Sequence, residues 1–337
     1  MVFKKLLQAF ALLLCAQTLF GQDIHFTMYN MSPMTLNPAL AGKFEGTFRI
    51  GGIYRDQWAS VIANQFRTPS AWVDAPIIRG FRKQDWIGVG LMLYQDKAGI
   101  AALTHSAAKL GGSYHFAFGK KGTTVLSIGG HYGSEQRRIN PEQLIFQDGL
   151  ELNNTGLSQD LTRVLGNANY QDFDGGLAFS TRLNPKMDMT LGFSMYHIGR
   201  PRYNLLNNAF ERLPRRAVTH GVFNIEMNER WTLSPSFIFQ TMSGADEIVV
   251  QGLAGYLFNE EKGITLQGGL GYRLSDAVNI LAGARIKDLT LGVSYDVNTS
   301  SLSNVSNYRG GFEIAANYIV KIYKPSVVKP KILCPRF

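Results

Sequence analysis

The sequence has very little cysteine. Among its 337 residues only Cys15 and Cys334 occur. Cys15 lies in an N-terminal stretch that we expect to be removed, which leaves one thiol and excludes an internal disulfide in the mature chain. A lipoprotein cut before Cys15 is disfavoured, because Leu14 stands where such a cut needs a small residue.

Long hydrophobic runs are also absent. The apolar core Leu6–Leu14 is shorter than the ~18 consecutive apolar residues of a membrane-spanning helix, and no other stretch approaches that length. The apolar core follows the charged pair Lys4-Lys5 and precedes Thr18-Leu19-Phe20-Gly21, which offers a cleavage site. A charged region, an apolar core and a cleavage site occur in this order in signal peptides. We predict that residues 1–21 are a signal peptide and that Gln22 is the new N-terminus.

Signals for catalysis are missing as well. A nucleophile with a base leaves a recognisable elbow or triad signature, and the chain has none. Asp172-Phe173-Asp174-Gly175 lacks the alternating acids and closing Glu of a calcium loop. The histidines lie in unrelated contexts: His25, His105, His115, His131, His197 and His220. We predict no enzyme activity and no catalytic, cofactor-binding or metal-binding residues.

Acidic residues are absent from the end of the chain, where nothing after Glu313 carries negative charge. The formal charge of +9 becomes +7 when two leader lysines are removed, and much of it lies in residues 321–337. That segment contains Lys321, Lys324, Lys329, Lys331 and Arg336, and also Pro325, Pro330 and Pro335. We predict a basic, proline-rich periplasmic arm that docks on a protein or an anionic surface, and no nucleic-acid partner.

The chain is rich in alternation of apolar and polar residues. The apolar set of its clearest stretch is Ile264, Leu266, Leu270, Tyr272 and Leu274, then Leu289, Leu291, Val293, Tyr295 and Val297. A period of two over about ten residues predicts a β-strand with one apolar and one polar face. Soluble sandwiches alternate too, but long strands with aromatic ends and a charged, glycine-rich second face are typical of outer-membrane barrels.

The alternation recurs in fourteen segments. They are 44–56, 64–77, 84–96, 102–118, 121–136, 171–183, 186–199, 214–227, 230–241, 246–259, 262–274, 277–287, 288–299 and 308–320. We predict an all-β fold, a transmembrane antiparallel β-barrel of about 14 strands over residues 44–320. Pro69, Pro76 and Pro235 fall inside two segments and are expected at bulges or strand ends, because proline cannot donate to a ladder.

The connections support a barrel with an even number of strands. Tight turns join even segments to odd ones at 119–122, 184–185, 228–229, 259–263 and 287–288. Longer links join odd segments to even ones at 137–170, 200–213 and 300–307. Short turns inside the envelope and long loops outside predict that both termini are periplasmic.

Residues 22–43 precede the first segment and do not alternate. Two interpretations stay open for this stretch: a loop that leads into the barrel, or a segment at or in the barrel mouth that enters or seals it. Charges of both signs fall on the predicted inner face, which favours a wet, salt-bridged lumen over a permeation path. They are Arg49, Arg55, Lys109, His115, His131, Glu135, Asp174, Arg182, Asp188, Arg273, Arg285, Asp288, Arg309 and Glu313.

A series of short motifs runs along the chain. The motifs are Gln22–Thr27, Leu36-Asn37-Pro38-Ala39, Ala41-Gly42, Tyr54-Arg55-Asp56-Gln57-Trp58, Asp74-Ala75-Pro76, Asp96-Lys97-Ala98-Gly99, Asp172–Gly176, His197–Pro201, Ser294-Tyr295-Asp296 with Thr299-Ser300, and the Lys/Pro-rich ending. In this joint order they resemble the PorP/SprF family. One departure is that the family's histidine before the last strand is missing in Gly310-Gly311-Phe312-Glu313. The candidate interaction residues are Asn37, Pro38, Gly42, Tyr54, Arg55, Gln57, Trp58, Asp74, Asp96, His197, Tyr295, Asp296, Lys329, Lys331 and Phe337.

The resemblance implies an outer-membrane barrel of the type IX secretion and gliding machinery of Bacteroidetes. It implies three kinds of partner: outer-membrane lipid, the C-terminal sorting domain of a secreted cargo protein, and periplasmic components of the secretion system. The expected role is to assist export or surface anchoring of that cargo. The alternative is a passive porin or a FadL-like transporter, which shares the same barrel physics.

Overall fold

The computed structural model describes residues 23–58, 66–79, 84–99, 101–119, 122–151, 155–207, 209–301 and 303–322. The predicted signal peptide lies outside these ranges. So does most of the predicted tail, including Lys329, Lys331 and Phe337. Within the described residues no helix has the length and apolar character needed to cross a membrane.

Fourteen strands close into one antiparallel barrel, which confirms the predicted fold class and strand number. The barrel strands are β1 (Phe48–Gln57), β2 (Phe66–Arg79), β3 (Trp86–Ala98), β4 (Leu103–Phe118), β5 (Thr124–Arg138), β6 (Asn167–Asn184), β7 (Met187–Tyr196), β10 (Arg216–Glu226), β11 (Trp231–Met242), β12 (Ala245–Asn259), β13 (Ile264–Arg273), β14 (Ala277–Ile286), β15 (Leu289–Asn298) and β16 (Arg309–Val320). Strands β1 and β16 close the ring, from Phe48 opposite Val320 to Gln57 opposite Gly311.

A separate hairpin, β8 (Arg202–Leu206) and β9 (Ala209–Arg212), occupies a link that the sequence left unassigned. Its strands are too short to give a readable period of two. Short helices complete the described chain: 3₁₀ helices at Tyr29–Met31, Pro38–Leu40, Pro141–Gln143, Thr155–Leu157 and Leu161–Arg163, with α1 (Pro33–Leu36), α2 (Gln147–Glu151) and α3 (Ser303–Ser306).

The two ends of the barrel differ. One end, here called the loop end, carries the long connections after β5, β7 and β15. The other, the turn end, carries the short connections after β6, β10, β12 and β14, as the alternating link lengths predicted. The prolines disturb pairing as expected: the β2–β3 register shifts between Pro76 and Ile78, and Pro235 is unpaired with β10.

Side chains alternate between the outside and the lumen as predicted. On β13, Leu266, Leu270 and Tyr272 are exposed, whereas Thr265 and Arg273 are buried. The inner face is not uniformly polar, however. Apolar side chains point inward where they meet the segment that precedes β1, and these include Ile53, Trp72, Met92, Val218, Ile238 and Val249.

Residues 23–43, here called the plug, lie inside the lumen. Their apolar side chains Phe26, Met28 and Met34 pack in a core cluster with the walls of β1–β4, and Tyr29 and Leu36 pack with β7, β10, β11 and β12. Burying each such side chain contributes roughly 1.5–3 kcal/mol. The plug is therefore held by an apolar core that the barrel builds around it.

The described part of the chain begins and ends at different ends of the barrel. Phe48 and Val320 both lie at the turn end, as expected for an even-stranded barrel. Asp23, however, is 3.2 Å from His197 and 3.4 Å from Arg216, which both lie at the loop end. The plug therefore runs the length of the lumen before β1 begins, and the periplasmic position of both termini stays a prediction.

The outward face of β13 gives a test of the side-chain assignment. Leu270 points outward and is 64% exposed, whereas Gln267 lines the lumen. Leu270→Arg should impair membrane assembly, because a cation at mid-bilayer on a barrel's outer face costs roughly 2–4 kcal/mol. Gln267→Arg should assemble nearly normally. Equal amounts of folded protein for the two variants, measured by heat-dependent gel mobility, would contradict the assignment.

Candidate functional site

The best-defined polar site of the described chain is the set of contacts that anchors the plug. Near the start of the plug, the backbone N–H groups of Thr27 and Met28 donate to the two carboxylate oxygens of Glu313, at 2.7 and 2.8 Å. Glu313 lies on β16 and is fully buried. A carboxylate that accepts two adjacent backbone N–H groups fixes the position of the peptide and not only of a side chain.

Two arginines complete this first anchor. The Arg55 guanidinium lies 2.5 Å from Glu313 and 3.2 Å from Asp296, and Arg273 lies 3.2 Å from Asp296. Both guanidinium groups also donate to the Thr27 hydroxyl, at 3.0 and 2.8 Å, and that hydroxyl donates to Asp296. Two cations and two anions thus surround one threonine, so each buried charge has a partner.

A second charge cluster lies on β4, β5 and β6. The Lys109 ammonium is 2.6 Å from Glu135, 2.7 Å from Asp172 and 2.8 Å from Asp174. Glu135, Asp172 and His197 have the spacing of a metal site. The ammonium already contacts both of those carboxylates, so it supplies the positive charge that a metal ion would bring.

His197 links this cluster to the first residue of the plug. Its Nδ1 lies 2.8 Å from Asp172 and its Nε2 lies 3.2 Å from Asp23. Asp23 is also 3.4 Å from Arg216, which donates to the Ile24 carbonyl at 2.5 Å. Burial disfavours the imidazolium, but the two carboxylates outweigh it and raise the pKa of His197 to about 9.

The last turn of the plug is anchored by amides and backbone groups. Asn37 caps the 3₁₀ helix that follows by accepting from the Ala39 N–H, and its amide donates to the Leu177 carbonyl at 2.9 Å. The Gly42 N–H donates to Asp74 at 2.7 Å. Gly42 has a φ of +65°, a conformation that favours glycine.

A row of inward-facing glycines lets the plug backbone lie against the wall. A Cβ on Gly129 of β5 would stand 2.6 Å from the Pro38 carbonyl oxygen, and a Cβ on Gly90 of β3 would stand 2.5 Å from Met34. Side chains on Gly88, Gly176 and Gly192 would also overlap plug atoms or the groups that bind them. The glycines of these strands thus form a groove shaped for the plug.

The family motifs gather at these contacts. Seven of the twelve described candidate residues belong to the plug or bind it: Asn37, Pro38, Gly42, Arg55, Asp74, His197 and Asp296. Gln57, Trp58 and Asp96 instead line a cavity at the loop end. Tyr54 and Tyr295 have the outward parity of β1 and β15 and take no part in the anchors. Most of the described motif candidates are therefore anchoring residues, although the motifs do not reveal what they anchor.

The sequence predictions do not include several anchoring residues. Asp23 occurs only within the opening motif, and Arg216 is absent, as are Gln251 and Asn317, whose amides donate to the Thr27 and Met31 carbonyls. Arg216 starts β10 with the parity of Val218 and His220, which face the lumen, so its position in the alternation was the available signal. Arg182 and Asp188, which were predicted to face the lumen, form an exposed ion pair at the turn end, so their charges are solvated.

The plug lies between two cavities. The loop-end cavity has a volume of about 410 Å³ and is bordered by Asp23 and Arg55. The turn-end cavity has a volume of about 390 Å³ and is bordered by Met28 and Lys43. The Thr27 anchor lies between them and is built by side chains of β1, β12, β13, β15 and β16. Apolar side chains of β1–β4 on one side, and of β7 and β10–β12 on the other, also pack against the plug. The central section of the lumen is therefore occupied by protein.

The model of the family described as "Type IX secretion system membrane protein PorP/SprF" matches residues 18–318. The chain belongs to this family. None of the curated proteins compared with it matches significantly. The barrel fold and the family together place the protein in the outer membrane.

The barrel is similar to solved outer-membrane structures. It matches the CymD monoaromatic hydrocarbon channel with a TM-score of 0.52 and 12% identity, over 90% of this chain and 96% of that one. The toluene transporters TbuX of Ralstonia pickettii and TodX of Pseudomonas putida give TM-scores of 0.48 and 0.49 at 12% identity. They cover 86% and 88% of this chain and 93% of theirs. At such identities only the fold is shared.

The raised pKa of His197 predicts a pH-dependent stability. Protonated His197 stabilises the folded state fully below pH 6.5, the ordinary pKa of histidine. This stabilisation is lost as the pH rises through about 9, the pKa in the folded state. Its size is on the order of 3 kcal/mol. His197→Asn, which tolerates the φ of +56° at this position, should lower the melting temperature strongly near neutral pH and hardly above about pH 10.

Comparing the wild type with His197→Asn at each pH cancels the contribution of Lys43 to the pH dependence of stability. Burial lowers the pKa of that lysine to about 8, so its effect runs in the opposite direction and is common to both. The measurement is thermal unfolding in detergent followed by circular dichroism. A difference in melting temperature that stays constant with pH would contradict the charged contact.

The glycine groove predicts that one added side chain displaces the plug. Gly129→Val should expel residues near Pro38 from the wall and open the lumen, since backbone atoms stand where the side chain must go. Gly112→Val is the matched control, because a Cβ at Gly112 meets nothing within 4 Å. Conductance in planar bilayers should rise for the first variant alone. Closed channels in both would show that the plug tolerates the change.

Proposed function

We propose that this protein is a plugged, membrane-fixed component of the type IX secretion machinery that assists export or surface anchoring of a cargo protein by binding it. The observation that carries the proposal is the occupied lumen. A barrel whose central section is filled by its own anchored segment is poorly suited to passive diffusion. The two ends of the barrel remain available for binding partners, so we assign the protein a binding role without catalysis.

The loop end has the character of a protein-binding surface. Ile145, Leu157, Phe210 and Val305 lie in its connections and are 67%, 63%, 72% and 74% exposed. Large apolar side chains that are exposed to water outside the barrel strands are typical of interaction sites. The proposed orientation places this end outside the cell, where long barrel loops are usual, and it is where an exported protein would be met.

The turn end is the proposed side of the periplasmic machinery. The last strand ends there at Val320, and we propose that the basic segment 321–337 continues from that end into the periplasm. Its cations and absence of acids suit an acidic partner surface. We propose that this segment contacts a periplasmic component, such as the ring beneath the outer membrane.

Affinity purification of the intact protein from native membranes tests the cargo role. A variant with Ile145, Leu157, Phe210 and Val305 changed to Ser should assemble normally but lose its co-purifying exported protein, because the exposed apolar contacts are gone. The control changes Gln143 and Thr162, two exposed polar residues of the connection after β5 that also holds Ile145 and Leu157, to Ser. The proposal fails if the apolar variant retains the same partners as the control.

A second arm of this experiment tests the turn end. A chain that stops after Tyr323 keeps all fourteen barrel strands and should insert normally. It should lose periplasmic secretion components while it retains the exported protein. Retention of both kinds of partner together with full export would refute the docking arm, and failure to insert would show that the segment is an assembly signal.

A second candidate function is a channel for small apolar molecules. It is favoured by the cavity at the turn end, whose lining includes Met31, Leu36 and Leu40. The name of the structural neighbour CymD, a monoaromatic hydrocarbon channel, suggests the same class of substrate. Uptake of toluene by proteoliposomes that contain the wild-type barrel, with no protein partner found by purification, would favour the channel over the secretion role.

A further inference from the structure

The turn-end cavity is an amphipathic space with unequal sides. On the plug side it is lined by apolar side chains, among them Met31, Leu36 and Leu40. On the wall side, β10, β11 and β13 contribute polar groups such as Ser234 and Gln267. Its volume of about 390 Å³ lies within the range of small-molecule sites. Such a lining suits a ligand that has one long apolar part.

The charges around this cavity have one sign. Its lining contains Lys43 and Arg49 and no acidic residue. Arg49 is neutralised by Asp74, with bonds of 2.9 and 2.7 Å. Lys43 has no acidic partner among the described residues, and its ammonium group donates to the Ser180 hydroxyl.

Burial lowers the pKa of Lys43 to about 8, which leaves it charged near neutral pH. A cation that is removed from much of its water and lacks an anion is energetically unfavourable until an anion binds.

The positions of these groups define the orientation of a ligand. Lys43 and Arg49 stand at the turn end, where β1 begins. The apolar residues of the plug extend from there to Met28, beside the Thr27 anchor. We propose that the cavity binds a single-chain amphipathic carboxylate, such as a long-chain fatty acid, with its carboxylate at Lys43 and its alkyl chain along Leu40, Leu36 and Met31.

The surroundings of the cavity argue against two other uses. A peptide would need free strand edges or a row of backbone partners, but the ring of fourteen strands is closed and has no edge to extend. Passage through the barrel is blocked above the cavity by the Thr27 anchor. The site therefore holds a ligand that enters and leaves by the turn end.

Photolabelling tests the site in the full-length protein. The probe is palmitate that carries a diazirine near the end of its chain, added to the barrel in lipid nanodiscs, with labelled residues mapped by mass spectrometry. Labels should fall on lumen-facing residues such as Met31 and Leu281 as well as on lipid-facing ones. Unlabelled palmitate should suppress the lumen labels about tenfold better than hexadecanol, which lacks the charge.

Three variants separate the site from general lipid binding. Lys43→Gln should remove the preference for palmitate over hexadecanol. Lys262→Gln changes an exposed lysine at the same end and should keep the preference. Thr290→Trp narrows the cavity and should abolish labelling of lumen-facing residues by the palmitate probe.

The heat-dependent gel shift verifies the folding of each variant. The proposal is overturned if labels appear only on the outer face, if hexadecanol competes as well as palmitate in the wild type, or if the preference survives in Lys43→Gln. The wild-type comparison decides the matter alone should a variant fail to fold.

Discussion

Four buried charges around Thr27 hold the centre of this protein together. Arg55, Arg273, Asp296 and Glu313 come from β1, β13, β15 and β16, and each contacts both a charge of opposite sign and the plug. Removing one partner leaves an uncompensated charge in a nearly dry site, which typically costs 3–5 kcal/mol. The wall charges neutralise one another, and the plug completes their hydrogen bonds. Without Glu313 the Thr27 and Met28 N–H groups would lose their acceptor, and without the plug both arginines would lose the Thr27 hydroxyl.

The rest of the lumen is adapted to the same constraint. Glycines such as Gly129 and Gly176 remove side chains where the plug backbone passes. Inward apolar residues such as Trp72 and Ile238 replace the polar inner face of an open barrel where the plug brings apolar groups. A second anchor at Lys109 and His197 fixes the start of the plug at the loop end. Close packing and paired charge together keep the central lumen filled.

This construction separates the two ends of the molecule chemically. The loop end has exposed apolar side chains and a cavity bordered by charged groups such as Arg55 and Asp96. The turn end has an amphipathic cavity with a cation that lacks an acidic partner among the described residues. Because the plug occupies the central lumen between the two ends, we expect partners or ligands at each end to act independently or through movement of the plug.

The sequence by itself determined the barrel. Alternation such as that of Ile264–Leu274 fixed the strand number and the direction of side chains, because a period of two is a local property of extended chain. Motif order identified the family and picked out Arg55, Asp74, His197 and Asp296. Link lengths assigned the loop end and the turn end.

Only the tertiary structure showed that residues 23–43 fill the lumen and that Asp23 lies at the loop end. Those contacts join residues up to 286 positions apart, such as Thr27 and Glu313. No local pattern encodes such a pairing. An inward charge looks the same in the sequence whether it faces water or an inserted segment, so the role of the anchors became visible only when the ring was closed around the plug.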